Sequence, residues 1–344
     1  MSLDLSVLDL SPVPEGATSS EALQNTLDLA RHADRLGYRR YWLAEHHNLV
    51  SVASSSPEVM ISSVAAATER IRVGAGGIML PNHAPLKVAE TFRVLNALHP
   101  DRIDLGIGRA PGTDPRTAYA LRRAPGESGT SAMADRFPEQ LGELFAFAGD
   151  GFPEGHPLKG IAAVPEDVAL PPVWLLGSSD YSAHAAAELG LGFAFAAHFS
   201  TMDPVAVMQA YRERFRPSER YGEPHAILAV SVLCAGTDAE ARHLARSMEL
   251  SMLKLRSGRP IKLPTPEAAA AYPYNVLEKE FVASYRQGQI VGSPETVSHK
   301  LNVLVRRTQA DEVMVTSAIH SHEKRLASYG LLAEVFSLSA AASL

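Results

Sequence analysis

The stretch "RLGYRRYWLAEHHN", residues 35–48, decides how this chain folds. Its first residues finish a helical pattern that opens at Ser19 and Ser20 and repeats through Leu23, Leu27, Ala30 and Leu36. Gly37 stops that helix, as glycine does at a helix C-terminus. Residues 38–44 then read as a short buried strand, which ends abruptly in Glu45, His46 and His47. A looser echo, "ELGLGFAFAAHF" at residues 188–199, repeats the order of helix end, glycine, strand and terminal histidine.

The same rhythm runs outward in both directions. Strands are predicted at residues 5–10, 71–76, 102–107, 172–176, 192–197, 226–234 and 312–316. Helices are predicted at 57–68, 85–98, 137–147, 182–189, 204–215, 238–253, 294–306 and 321–336. With the strand at 38–44 this makes eight strands alternating with helices, which predicts an α/β fold: a (β/α)8 TIM barrel, with residues 1–344 as one domain. A doubly wound open sheet is the alternative. Residues 108–134, 149–171 and 254–274 read as loops inserted at the barrel mouth, the last carrying four prolines.

Composition narrows the class. The chain has 344 residues, is 46% hydrophobic and has a net charge of −6 with acids and bases interspersed. No basic patch suits nucleic acid. The longest apolar runs are too short to span a bilayer. The first ten residues carry two aspartates and no basic segment, so a cytoplasmic protein without a signal peptide is expected. Cys234 is the single cysteine, which excludes an intramolecular disulfide and a cysteine-based zinc site.

In a barrel, functional groups sit at the C-terminal ends of the strands. Asp9, the trio Glu45, His46 and His47, the glycines Gly76 and Gly77, Arg109, the pair Ser178 and Ser179, and His198 all fall there. Adjacent histidines on a strand point to opposite faces, and no metal-ligand spacing such as HExxH is present, so no metal site is expected. His46 is open to two readings. It is a loop histidine whose tautomer Glu45 fixes, or an acid/base and hydrogen-bonding group at a bound reactive molecule. Gly74, Gly76 and Gly77 mark a bulge or a close ligand approach. Arg109, ahead of the Arg116, Arg122 and Arg123 that follow, suits phosphate. Ser178 and Ser179 open a helix, where they cap it, bind an anion, or both. Asp9 and Glu45 as paired carboxylates of a glycoside hydrolase form a weaker reading.

The motifs "RYWLAEHHN", "RVGAGGIMLPNHAPLKVAE", "HPDRIDLGIGRAPGTD" and "FPEQL", in this order and spacing, resemble the bacterial luciferase-like flavin-dependent monooxygenases over nearly the whole chain. The resemblance implies FMN, bound in its reduced form at the barrel mouth. It matches His46 to the family's catalytic histidine and the Gly76–Gly77 bond to a non-prolyl cis peptide beside the flavin. It matches Arg109, Ser178, Ser179 and Ser182 to the phosphate site, with Arg136 or Arg122 as a second phosphate arginine. It further implies a monooxygenase using molecular oxygen and a small organic substrate, a separate NAD(P)H:flavin reductase as partner, and a homodimer. Related barrels use the deazaflavin F420 for hydride transfer, and others hold flavin without turnover. Residues 254–274 find no match to the long luciferase lid, so the substrate stays open.

Overall fold

The computed structural model describes residues 3–121 and 136–339. The strands β1 (Asp4–Asp9), β2 (Arg40–Leu43), β3 (Arg72–Ala75), β5 (Ile103–Gly108), β6 (Val173–Gly177), β7 (Gly192–Ala196), β8 (Ala226–Cys234) and β10 (Glu312–Thr316) pair in that order, all parallel. β10 pairs with β1 on one side and with β8 on the other, which closes an eight-stranded barrel and excludes the open doubly wound sheet. The two-residue β4 (Ile78–Met79) resumes the pairing with β5 just beyond the glycine pair that follows β3.

Helices α1 (Ser19–Leu36), α2 (Pro57–Ala67), α3 (Pro85–Leu98), α4 (Pro115–Leu121), α5 (Phe137–Phe145), α6 (Asp180–Glu188), α7 (Pro204–Arg214) and α8 (Asp238–Arg256) alternate with the strands. Local chemistry sets their ends. Thr18 and Glu21 form a reciprocal capping box at the start of α1, and Gly37 adopts the left-handed conformation at its end with φ 88°. Among the described residues, no helix is long and apolar enough to cross a membrane.

Three elements were not predicted between α8 and the last crossover: α9 (Pro266–Ala271), α10 (Val276–Gln287) and β9 (Gln289–Gly292). The prolines of 254–274 punctuate this region rather than unstructure it. Pro266 sits in the first turn of α9, where its missing N–H costs nothing, and Thr265 caps that helix. β8 is long enough for two partners, so its second half, Ser231 to Cys234, takes β9 while its first half closes the barrel. Helices α11 (Pro294–Thr308) and α12 (His322–Val335) complete the ring.

Strand alternation sorts the side chains into two cores. Outward residues such as Leu5, Val7, Tyr41, Leu43, Leu105 and Phe193 pack under the helices. Leu8, Trp42, Ala44, Trp174, Ala194, Ile227, Ala229 and Met314 form a separate cluster inside the barrel. Beneath it lies a buried ion network. Arg40 bridges Glu312 at 2.9 Å and Asp104 at 2.8 Å, Arg72 reaches Asp104 at 2.7 Å, and Ser6 donates to Glu312. Trp42 also donates to Asp104 at 3.1 Å and meets Trp174 edge-on at 5.7 Å. The bottom of the barrel is therefore plugged, while toward the other end the inward residues shrink to alanine.

Candidate active site

Two histidines stand just beyond the ends of their strands. His46 follows β2 by three residues, and His198 follows β7 by two, in the turn at residues 197–199. Both lie beyond the C-terminal ends of their strands, at the same end of the parallel barrel. The His46 backbone N–H donates to Ser54 O at 3.0 Å, which fixes the main chain. Its ring Nδ1 is buried and has no hydrogen-bond partner among the described residues. Burial holds its pKa below the ordinary imidazole value, against the pull of Glu45, so the ring is neutral at pH 7.

Glu45 faces the other way, and its role differs from the tautomer-fixing partner of His46 that its position suggested. It is fully buried and accepts from the Met79 backbone N–H at 2.8 Å, Asn82 Nδ2 at 3.0 Å, His47 Nε2 at 2.8 Å and His83 Nε2 at 3.0 Å. Burial alone would raise its pKa; the bonds from His83, His47 and Met79 outweigh that and hold it low. His83 is raised in turn, burial notwithstanding, by the same carboxylate. Glu45 thus clamps the segment after the glycine pair to the end of β2. Nothing in the strand pattern signals this, because three of the four partners, Met79, Asn82 and His83, lie more than thirty residues away.

The glycoside hydrolase reading fails on the same ground. Asp9 points outward and is spent on Arg325 at 2.6 Å, Thr26 at 2.8 Å, the Ser11 N–H at 2.8 Å and Tyr41. Glu45 is saturated, so neither carboxylate is free to act on a sugar. Among the described residues, no cluster of three or more His, Cys, Asp or Glu side chains has the arrangement to hold a metal ion.

The glycines are required by close backbone approach. The Gly76–Gly77 peptide is cis. A Cβ on Gly76 would lie 2.6 Å from Leu8 Cδ1, and one on Gly77 would lie 2.8 Å from Gly106 O. A Cβ on Gly106 would come within 2.0 Å of Ala75 O. The chain at Gly77 and the ends of β3 and β5 therefore touch through bare main chain.

Arg109 and the serines come together on the neighbouring sector. Gly108 is in register with Leu176, so Arg109 and the turn Gly177–Ser178–Ser179 stand side by side. The Arg109 guanidinium stacks over the Tyr181 ring at 4.0 Å, a contact the sequence did not suggest. No carboxylate of the described residues pairs with it. Ser179 occupies the N-cap of α6, yet its side chain makes no capping bond, so the capping reading does not hold for its hydroxyl. Ser182 is buried in the first turn, where a Cβ on Gly177 would strike its Oγ at 2.4 Å. Ser200 Oγ donates to Ser178 O at 2.7 Å and ties this turn to the end of β7. Arg136 pairs with Glu139 at 3.1 Å at the start of α5, and Arg122 and Arg123 lie outside the described residues.

The family model for luciferase-like monooxygenases matches residues 3–312. The chain belongs to that family. A luciferase-like monooxygenase of Escherichia coli is 43% identical over 330 residues, 96% of each chain. The N-acetyl-S-alkylcysteine monooxygenase of Bacillus subtilis is 36% identical over 332 residues, covering 96% of this chain and 97% of that one. The crystal structure of apo-MsnO8, 40% identical, superposes with a TM-score of 0.87 over 98% of this chain and 99% of that one. More distant solved structures share the fold alone. They include the FMN complex of the oxygenating constituent of 3,6-diketocamphane monooxygenase from Pseudomonas putida (19% identity, TM-score 0.69) and an F420-dependent secondary alcohol dehydrogenase (11%, 0.65).

Proposed function

We propose that this family member is a cytoplasmic, FMN-dependent monooxygenase that uses reduced flavin and O2 to oxygenate a small organic molecule. The observation that carries this reading is Arg109. It is a guanidinium without a carboxylate partner among the described residues, stacked on Tyr181 beside the uncapped helix start of Ser178, Ser179 and Ser182. Free N–H groups, the helix dipole and an arginine fork suit a phosphate monoester such as that of FMN. The bare main chain of Gly76, Gly77 and Gly106 fits a flat ring between that pocket and His46. The unpartnered Nδ1 of His46 fits a polar group of the bound molecules, since a buried ring nitrogen left alone costs about 1–3 kcal/mol.

Bound reduced FMN supplies two electrons, so that one atom of O2 enters the substrate and the other leaves as water. The protein's share is placement and proton handling. Arg109 and the α6 start bind the phosphate. His46, kept neutral by burial, accepts or returns a proton at the reacting group. The Trp42 and Trp174 layer closes the floor against water.

No nicotinamide-binding fingerprint is present in the sequence, which supports a separate NAD(P)H:flavin reductase as partner. Val59, Val94 and Leu98, 61%, 47% and 63% exposed on the adjacent helices α2 and α3, support a homodimer. The chain acts as one luciferase-like domain. The deciding experiment binds photoreduced FMN anaerobically, mixes it rapidly with oxygen and follows the absorption spectrum with N-acetyl-S-alkylcysteines as the first substrate panel. Oxygen-dependent formation of an oxygenated product sustains the reading. Failure to bind reduced FMN, with binding of F420 instead, refutes it.

A further inference from the structure

We propose that His198 is a second ligand-binding histidine of the mouth: a fixed hydrogen-bond acceptor whose Nε2 receives an N–H or O–H of the molecule bound there. The proposal rests on the reading that the mouth holds a flavin and an organic substrate, and it goes beyond that reading by assigning a residue the phosphate and His46 sites do not use.

Position comes first. His198 lies two residues beyond the C-terminal end of β7, in the turn at residues 197–199, at the mouth end of the barrel and partly buried. The neighbouring side chains on β7 and β8, Ala194 and Ala229, are small. Its neighbour Phe199 meets the imidazole edge-on at 4.6 Å and is 54% exposed.

The wall of the barrel fixes the tautomer. The His198 backbone N–H donates to Ala229 O at 3.1 Å, and the ring Nδ1 lies 3.4 Å from the same oxygen. A carbonyl oxygen only accepts, so the neutral ring carries its proton on Nδ1 and leaves Nε2 bare. Nε2 has no partner among the described residues. Burial, against the bond to Ala229 O, pushes the pKa of His198 down to about 4, so the ring remains neutral at pH 7. The loop that carries it is anchored, because Ser200 is bonded to the Ser178 carbonyl. A rigid imidazole with one nitrogen tied to the wall and the other bare is an acceptor aimed at a ligand.

Two sources offer the donor: an N–H of the flavin ring, or an amide N–H or hydroxyl of the substrate. The test uses the full chain with 15N-labelled histidine. NMR spectra are taken free at pH 7, with oxidised FMN, and with FMN plus N-acetyl-S-benzylcysteine as probe. Nδ1 is expected to be protonated and Nε2 bare in the free protein, with one addition shifting Nε2. A shift with FMN assigns the flavin ring; a shift only with the second probe assigns the substrate.

His198→Asn keeps a donor near the Nδ1 position and removes the acceptor. It is expected to weaken whichever molecule moved Nε2 by about tenfold or more, the effect of one lost hydrogen bond. His198→Gln restores an acceptor oxygen near the Nε2 position and is expected to stay within about threefold of wild type. A protonated Nε2 in the free protein, an Nε2 unmoved by both additions, or a His198→Asn variant binding like wild type would overturn the assignment. Wild-type protein that fails to quench FMN fluorescence overturns the flavin reading instead, so the two failures are distinguishable.

Discussion

Replacing Glu45 with glutamine removes one charge from the clamp without changing its shape. The carboxylate is fully buried and accepts from four groups: Met79 N–H, Asn82, His47 and His83. A glutamine keeps one acceptor oxygen and turns an NH2 toward donors. Breaking a buried ion pair costs about 3–5 kcal/mol. The His83 side chain is 30% exposed, which lets water share the loss, so we expect about 2–3 kcal/mol.

The pH dependence carries the sign. Glu45 has its folded pKa depressed below 4.5, so its contribution is present above that value and is lost as pH falls through the folded pKa. His83 has its folded pKa raised above 6.5, so its contribution is complete below that value and is lost as pH rises through the folded pKa. The difference between wild type and Glu45→Gln should therefore peak between pH 4.5 and 6.5 and shrink on both sides. His47, which also faces the carboxylate, and Glu58, whose charge reaches His83, are common to both proteins. Urea unfolding of the two proteins at pH 4, 5.5 and 8 measures it. A cost below about 1 kcal/mol at pH 5.5, the scale of a surface pair, or one independent of pH, refutes the clamp.

Three further outcomes follow from single contacts. Arg109→Ala should weaken FMN by about 10- to 100-fold through loss of charge-assisted phosphate bonds, while riboflavin, which lacks the phosphate, changes little; equal loss for both ligands in fluorescence titration would count against a phosphate role. Gly106→Ala forces a Cβ to within 2.0 Å of Ala75 O and should cost about 2–3 kcal/mol by denaturant unfolding, with FMN affinity falling as β3 and β5 part; wild-type stability would show the strand ends to be loosely packed. Arg325→Met strands the buried Asp9 carboxylate and should cost about 3–5 kcal/mol at pH 7, less once Asp9 can be protonated; a stable variant would mean that Asp9 is not structural.

The sequence by itself determined the barrel and which polar residues end its strands. Helix, glycine and buried strand recur because each unit must bury one face of a helix on one strand, and that period is written locally in residues such as Leu36, Gly37 and Trp42. The position of His46, Arg109, Gly76, Gly77 and Ser178 at strand ends was legible for the same reason: strand ends are visible in the chain, and a parallel barrel collects every strand end on one side. The short β9 was not legible, since four residues between two helices carry no period and acquire strand form only from the free half of β8.

Partners distant in sequence were decided by tertiary structure alone. Asp9 and Glu45 are both carboxylates at strand ends. Strand phase turns one outward onto Arg325 and loop closure wraps the other in His47, Asn82 and His83. The same holds for Tyr181 under Arg109 and for Ala229 behind His198. Whether a polar side chain is spent on the fold or left for a ligand depends on hydrogen-bond partners that only the closed barrel brings within 3 Å or so.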